Sequence, residues 1–557
     1  MVKRVAIIGG GVSGLVATKS CIEEGLDPTC FEQRDSVGGL WAFEDKVQDN
    51  LSCCMWSTTM NTSKEMSCFS DFLMPKESPN FLHNVEALEY LRNYARHFNL
   101  DKHFSLNTEV VMVKRSPDFS NTGQWIVRRP HDSGNKKHLN DQVFSSNRIS
   151  FNRSEYKIRR SKDGVFDAVI VCSGHHGEKH IPRFPGLGEF KGQILHSHDY
   201  RKPLDFTGKR VLVVGLGNSG GDIASEIGQV GQVVLSTRRG VWVVPRGLGR
   251  GLPLDVALHT RLGFLLQKVL PFSWGQMLAA ADLSERLDHD LYGLTSSSLP
   301  NGFALFISDD LASRIICGKV KVKEDVKSFS TSSVEFVDGT VEDIDAVIFA
   351  TGYHIRFPFM EKEVVEVKDN IMPLYKRVFL PDLEQQTLAF VGFFNANGCL
   401  WPICELQSRL AVRVLSGAMK LPTRKAMKDD IELMEEARPK CSQTHFVTLS
   451  RWTSSLTWTN LLRWRLLLTD PKLGLRVLCG PCVPSQFRLQ GPGHWPGARE
   501  AILTVMDRVR YPLQTRRLPP GLPKTIERLR EFFYPSKTWI VSLYLTIIGL
   551  LFWIIVN

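Results

Sequence analysis

Two glycine-rich turns are the residues of this chain whose spacing could do chemistry. Gly9, Gly11 and Gly14 follow the apolar run Val2 to Ile8 with the spacing G-x-G-x-x-G, and a helical pattern through Leu15, Ala17 and Ile22 comes next. Glycines so placed let the backbone approach a pyrophosphate at a helix N-terminus, where free N–H groups and the helix dipole favour an anion. A second run from Pro28 to Phe31 ends at Glu32, a carboxylate suited to accept hydrogen bonds from ribose hydroxyls. The motif recurs at Gly215, Gly217, Asn218, Ser219 and Gly220, after the strand-like Lys209 to Val214 and before a helical stretch through Ile223 and Ile227. Glu32 lies 23 residues past Gly9, and the same step from Gly215 reaches Arg238, followed by Arg239. A carboxylate there would repel a 2′-phosphate, whereas guanidinium groups bind it through paired charge-assisted hydrogen bonds, so the second turn is expected to prefer NADP(H). The plainer reading of Arg238 and Arg239 is a pair of solvated charges at a strand end.

These turns need parallel sheets to hold them. Asp167 to Gly174 and Asp345 to Gly352 repeat one pattern, four apolar residues running into a small residue and glycine, as expected of buried strands whose ends pass close to a cofactor. The expected fold is therefore α/β, with two Rossmann-like dinucleotide-binding domains, the second inserted in a discontinuous first, and a C-terminal transmembrane helix. The boundaries read as residues 1–175 for the first part, 203–340 for the inserted domain and 345–450 for the return. A C-terminal extension over 451–535 and an anchor over 538–556 complete the chain, with hinges near 175–200 and 341–355.

Composition excludes several classes. The 557 residues are 43% hydrophobic and 23% charged, close to a soluble globular average, which argues against a disordered or polytopic chain. The net charge of +11 is concentrated in two stretches, Arg128 to Lys162 at +7 and Arg508 to Lys537 at +6, so no fold-wide basic face for nucleic acid is implied. Twelve cysteines without a cationic-then-apolar leader point to reduced thiols rather than a secreted disulfide framework. Cys479-Gly-Pro-Cys482 copies a redox motif, but Pro484 follows at once and no helical run succeeds it, so the pair reads as a turn. No zinc-ligand spacing occurs. Thr538 to Val556 is free of charge over nineteen residues, about 28 Å as a helix, and the Lys/Arg-rich flank before it sets the bulk of the chain on the cytoplasmic side.

Further segments carry a family resemblance. Phe190-Lys-Gly192-Gln-Ile-Leu-His196-Ser-His-Asp-Tyr200, Phe349-Ala-Thr-Gly-Tyr353, Asn61-Thr-Ser-Lys-Glu-Met66 and Gly38-Gly39-Leu40-Trp41 join the two glycine turns. Together they resemble the flavin-containing monooxygenase family of the mammalian microsomal, dimethylaniline N-oxide-forming type, over nearly the whole chain, of which this chain is a divergent member. The resemblance implies FAD on the first unit, contacted by Gly9, Gly11, Gly14, Glu32, Gly39, Leu40, Trp41 and Thr62. It implies NADPH on the second, and an endoplasmic reticulum anchor at the C-terminus. The implied reaction uses O2 to oxygenate soft nitrogen and sulfur nucleophiles, amines and sulfides, through a C4a-hydroperoxyflavin. No general acid or base is implied; the protein supplies a dry pocket. Asn61 is the implied catalytic residue, its amide hydrogen-bonding the flavin adduct or the nicotinamide, against the blander reading of a cap ahead of Thr62-Ser-Lys-Glu65. His196 reads equally as a cofactor-placing or a structural histidine. No metal is implied, and nothing in the sequence fixes an oligomeric state.

The chain also departs from the family. Met55-Trp56-Ser-Thr-Thr-Met60 replaces a segment that carries Tyr and then Arg or Lys, so a cationic contact is lost. About two dozen extra basic, Ser/Asn-rich residues lie within Arg128 to Lys162 and read as a mobile surface loop. Thr295 to Phe303 drifts as well. Baeyer–Villiger oxygenation of ketones, an uncoupled NADPH oxidase and a catalytically silent flavoprotein therefore stay open. A disulfide reductase ranks below them, because Cys53-Cys54 lacks the intervening loop that chemistry needs.

Overall fold

The computed structural model describes residues 2–130, 161–248, 251–269, 272–296, 305–436, 446–448, 466 and 469–515. Residues Met1–Val509 form one compact unit and Arg510–Asn557 a second. Of the latter only 510–515 are described, ending in a short 3-10 turn, Tyr511–Leu513. The expected anchor and the basic insertion both lie outside the described residues. Among the described residues no helix is long and apolar enough to cross a membrane.

Two five-stranded parallel sheets organise the first unit. In one, the strand order is Leu388–Phe390, Ala168–Val171, Arg4–Ile8, Asp27–Phe31, Phe104–Ser105. In the other it is Val320–Lys323, Gln232–Ser236, Arg210–Val214, Ala346–Phe349, Gln193–His196. Central strands of this kind are apolar at every position because helices or loops cover both faces. Val5 and Ile7 pack with Leu15 and Val16 of helix Val12–Glu23 and with Ile403 of helix Leu400–Leu415. Their neighbours Ala6 and Ile8 face the opposite way, toward Phe31, Trp125 and Phe390. The second sheet repeats the alternation, Val211 and Val213 on one side and Leu212 and Val214 on the other.

The return to the first sheet comes later than residue 345. Ala346–Phe349 pairs with Arg210–Val214 and with Gln193–His196, so the second sheet draws on residues before 203 and after 345. The reason is local: strand Ala346–Phe349 is the parallel neighbour that buries the exposed edge of the central strand, as Ala168–Val171 does in the first sheet. The crossings themselves, Glu178–Lys179 and Tyr353–His354, lie side by side as an antiparallel pair. Strands Met112–Arg115, Trp125–Pro130 and Ser161–Phe166 make a separate antiparallel sheet, and the extra basic residues connect the last two of these paired strands.

Candidate active site and cofactor cradles

Each glycine turn sits where its central strand gives way to a helix. Gly9 has φ +105°, a backbone state that suits glycine, and a Cβ there would lie 2.5 Å from the Cys172 carbonyl oxygen. A Cβ on Gly14 would lie 1.9 Å from the Gly9 oxygen, so only glycine lets helix Val12–Glu23 start this close to the strand. The second turn matches it: Gly215 has φ +104° against the Ala350 oxygen, and a Cβ on Gly220 would lie 2.0 Å from the Gly215 oxygen. Both helices begin without a side-chain cap, at Gly11 and at Gly217, so their first N–H groups are left for an anion. Open space adjoins them, since a Cβ on Gly174, Gly217 or Gly352 would meet nothing within 4 Å. Asn218, Ser219 and Gly220 form the first turn of the second helix. Uncapped donors, close-packed glycines and unfilled space are what a dinucleotide pyrophosphate requires, and both turns fit one.

Glu32 is buried at the end of its strand and is already held from two sides. Its carboxylate accepts the Gly10 N–H at 2.6 Å and the Arg34 N–H at 2.8 Å, which orients it and leaves further lone pairs for a ribose. Gly39 lies against the first turn, its would-be Cβ 2.9 Å from the Gly11 Cα, and the Gly38 N–H bonds the Gly10 oxygen at 3.1 Å. Leu40 accepts the Cys54 N–H at 3.0 Å, and Trp41 stands edge-on to Trp401 with centroids 5.6 Å apart. Arg238 lies two residues beyond strand Gln232–Ser236, past the same sheet edge as the Gly215 turn. It is largely exposed, with Asp325 at 3.7 Å as a loose ionic partner.

Asn61 is not a helix cap. The N-cap position of the short helix Lys64–Ser67 is Ser63, which makes no side-chain cap and whose N–H is taken by Asp255 Oδ2 at 2.7 Å. Burial pushes the Asp255 carboxyl up, opposed by that bond, and pushes the neighbouring His259 imidazole down. Asn61 Oδ1 instead accepts Arg246 Nη2 at 2.9 Å. A guanidinium has only donors, so the amide oxygen must face it, and the Nδ2 hydrogens are left to turn elsewhere. Arg246 is fixed in turn by Asp309, through Nη1 at 3.2 Å and through its own backbone N–H at 3.0 Å. Half-buried Asp222, on the helix behind the second glycine turn, is raised to about 7 by burial, with Arg246 pulling the other way. Thr62 turns its hydroxyl to Ser67 Oγ at 2.9 Å. Arg246, Asp309, Asp222 and Asp255 were not expected from the sequence, because no spacing rule joins Asn61 to a loop 185 residues away.

His196 is a fastener. Its Nε2 hydrogen is donated to the Gly352 carbonyl at 3.0 Å, and its Nδ1 accepts the His198 N–H at 3.1 Å, so the neutral ring is satisfied at both nitrogens. Burial lowers it to about 4. It thereby ties the Phe190 to Tyr200 segment to the Phe349 to Tyr353 segment. The Cys479/Cys482 pair gives no redox motif of the helix-N-terminal kind: Cys479 is the last residue of helix Pro471–Cys479, and Cys482 is buried beyond it. Among the described residues no cluster suited to a metal ion occurs.

Known proteins agree with this geometry. The model of the Flavin-binding monooxygenase-like family matches residues 2–153 and 152–551. Flavin-containing monooxygenase 5 of Cavia porcellus is 45% identical over 528 residues, spanning 92% of this chain and 94% of that protein. Dimethylaniline monooxygenase (N-oxide-forming) 2 of Rattus norvegicus is 42% identical over 530 residues, spanning 93% and 94%. Among solved structures, S-allyl-L-cysteine S-oxygenase from Allium sativum shares the fold at TM-score 0.59 and 24% identity, over 92% of this chain and 99% of that one. A cyclohexanone monooxygenase does so at TM-score 0.58 and 16% identity, over 83% and 98%. Matched along nearly its whole length, and carrying two cradles shaped for dinucleotides, the chain belongs to the flavin-binding monooxygenase-like family and is a flavin monooxygenase that uses FAD and NADPH.

Proposed function

We propose that this enzyme oxygenates soft nitrogen and sulfur nucleophiles, small amines and sulfides, and that it does so at the cytoplasmic face of the endoplasmic reticulum, held by residues 538–556. FAD would be held by Gly9, Gly11, Gly14, Glu32, Gly39, Leu40, Trp41 and Thr62, and NADPH by Gly215, Gly217, Asn218, Ser219, Gly220 and Arg238. When bound, the flavin supplies the redox and oxygen chemistry, with NADPH as the electron source. The chain's own task is to bind, orient and exclude water. Asn61, its oxygen engaged by Arg246, offers neutral N–H donors at fixed direction and neither an acid nor a base. That is the observation on which the reading rests, because transfer of oxygen to an electron-rich nitrogen or sulfur asks for a polar, proton-poor surround rather than proton traffic. The name of one relative, N-oxide-forming, supports the substrate class, and a structural neighbour that shares the fold is an S-oxygenase. The uncharged run Thr538 to Val556 with its basic flank supports the location.

The test is direct. FAD-loaded enzyme is given NADPH and O2 with a tertiary amine, a thioether or a cyclic ketone, and both product and H2O2 are measured. N-oxide and sulfoxide formation is expected in proportion to NADPH consumed. Ester or lactone from the ketone alone, or H2O2 alone, would overturn the assignment.

A further inference from the structure

Cys53 and Cys54 are adjacent thiols in unlike surroundings. Cys54 is buried, while Cys53 is half-buried and reaches solvent. The Cys53 sulfur accepts the Glu44 backbone N–H at 3.4 Å and, as a thiol, faces the carbonyl oxygens of Cys54 at 3.3 Å, Ala42 at 3.7 Å and Glu44 at 3.8 Å, while the Cys54 thiol beside it is turned to the Trp41 carbonyl at 3.8 Å. Two guanidinium groups close on the same spot. Arg201 binds only neutral carbonyls there, Glu44 at 2.7 Å, His198 at 2.7 Å and Tyr200 at 3.0 Å, so its charge is not cancelled by a carboxylate at those contacts. Arg34 donates to the Ser52 carbonyl at 2.7 Å, directly before Cys53, and meets Glu44 Oε1 at 3.1 Å.

The other cysteines lack this combination. Cys21, Cys30, Cys68, Cys172, Cys404 and Cys482 are buried. The two exposed ones, Cys317 and Cys479, lie at the C-terminal ends of helices Leu311–Ile316 and Pro471–Cys479 and lack the paired guanidinium groups that flank Cys53. Half-buried Cys399 is pushed up by burial and has Asp255 rather than a guanidinium among its charged neighbours, so donors, positive charge and access meet at Cys53 alone among the described cysteines.

We propose that Cys53 and Cys54 form a peroxide-sensitive dithiol beside the FAD loop, with Cys53 the attacked sulfur and Cys54 the resolving one. The oxidant is hydrogen peroxide, which a flavin monooxygenase releases whenever oxygen is not passed to a substrate. In the first step the Cys53 thiolate attacks one peroxide oxygen. The S–O bond forms and the O–O bond breaks; sulfur is oxidised by two electrons and the departing hydroxide takes a proton from solvent. In the second, Cys54 sulfur attacks Cys53 sulfur, the S–S bond forms, the S–O bond breaks, and the hydroxyl leaves as water with the Cys54 proton. Two thiols and one H2O2 become one disulfide and two waters. The neighbouring Cys54 thiol, then the Glu44 amide and the charges of Arg201 and Arg34, hold the Cys53 thiol below its usual range against the cost of burial. The Cys54 N–H bond to Leu40 links the pair to the FAD loop, so oxidation has a short path to cofactor affinity.

The experiment treats full-length reduced protein with stoichiometric H2O2, blocks remaining thiols and maps every cysteine by peptide mass. The peptide holding both residues is expected to be oxidised several-fold faster than those holding Cys317 or Cys479. Cys54→Ser should accumulate a dimedone-trappable sulfenate at Cys53, and Cys53→Ser should leave Cys54 a thiol. Oxidation of Cys317 or Cys479 first, or oxidation of Cys54 at an undiminished rate in Cys53→Ser, would overturn the proposal. Mapping requires neither turnover nor substrate, so its outcome is separable from the proposed oxygenation.

Discussion

Replacing Arg246 by methionine keeps much of the side chain's length and removes its charge and all its donors. Three contacts go at once: the bond to Asn61 at 2.9 Å, the pair with Asp309 at 3.2 Å and the field at Asp222. Asp309 is half exposed, and its loss of a partner costs little. The Asn61 bond is charge-assisted, worth about 1.5–3 kcal/mol, and with Arg246 one-fifth exposed the lower end is appropriate. About 1.5–2 kcal/mol of lost orientation corresponds to roughly a 10- to 30-fold fall in oxygen transfer relative to its competitor, release of H2O2. The assay counts product and H2O2 per NADPH consumed, with NADPH-driven flavin reduction measured separately without air. Reduction should persist while the H2O2 share rises. A second readout comes from Asp222, raised to about 7 with Arg246 opposing that rise; without Arg246 its carboxyl keeps its proton to higher pH, and any pH midpoint it imposes on turnover moves upward. Arg246→Lys should restore the pH midpoint better than the coupling, because lysine returns charge but not the fork. Unchanged coupling and an unmoved pH profile in Arg246→Met would refute the reasoning, whatever the melting temperature does.

Three other outcomes are expected. Arg238→Ala should raise the KM for NADPH roughly tenfold and leave that for NADH unchanged, since the lost partner is the 2′-phosphate; equal effects on both would remove Arg238 from the cofactor site. Gly14→Ala forces a Cβ to 1.9 Å from the Gly9 oxygen, so the purified protein should lack bound flavin by absorbance, and a fully yellow variant would contradict the cradle. Stability should fall on acidification. His196 is lowered to about 4 by burial, so the unfolded chain binds its proton near 6.5 while the folded one does not. Its contribution is complete above 6.5 and is lost as pH falls toward 4, up to about 3 kcal/mol, with half-buried His175 and His176 shifted the same way. A melting temperature flat between pH 7 and 5 would argue against it.

What could be read from the sequence was what the backbone alone determines. The glycine turns were legible because a strand, three glycines at fixed spacing and a helix leave one geometry, and the close approaches at Gly14 and Gly220 show why. The repeat of buried strands at 168–171 and 346–349 was legible from its unbroken apolar run. Strand Gln193–His196 was not, because it is a largely exposed edge strand without an unbroken apolar run. The anchoring of Asn61 was not either. It depends on a side chain from a loop in the inserted region, and long-range side-chain pairs leave no period or spacing to find. Ser63, rather than Asn61, heads the helix because Asp255 comes from equally far away to satisfy its N–H.

The two chain crossings between the sheets are laced together: Lys179 opposes Tyr353, Glu178 opposes His354, and the His180 N–H reaches the Gly352 carbonyl at 3.0 Å. The inserted stretch therefore leaves and re-enters its host at neighbouring points, like a bead added to a thread without parting it. Excising it would leave two ends already within joining distance, which is the geometry by which one ancestral module can be grafted into another without disturbing the host's strand order.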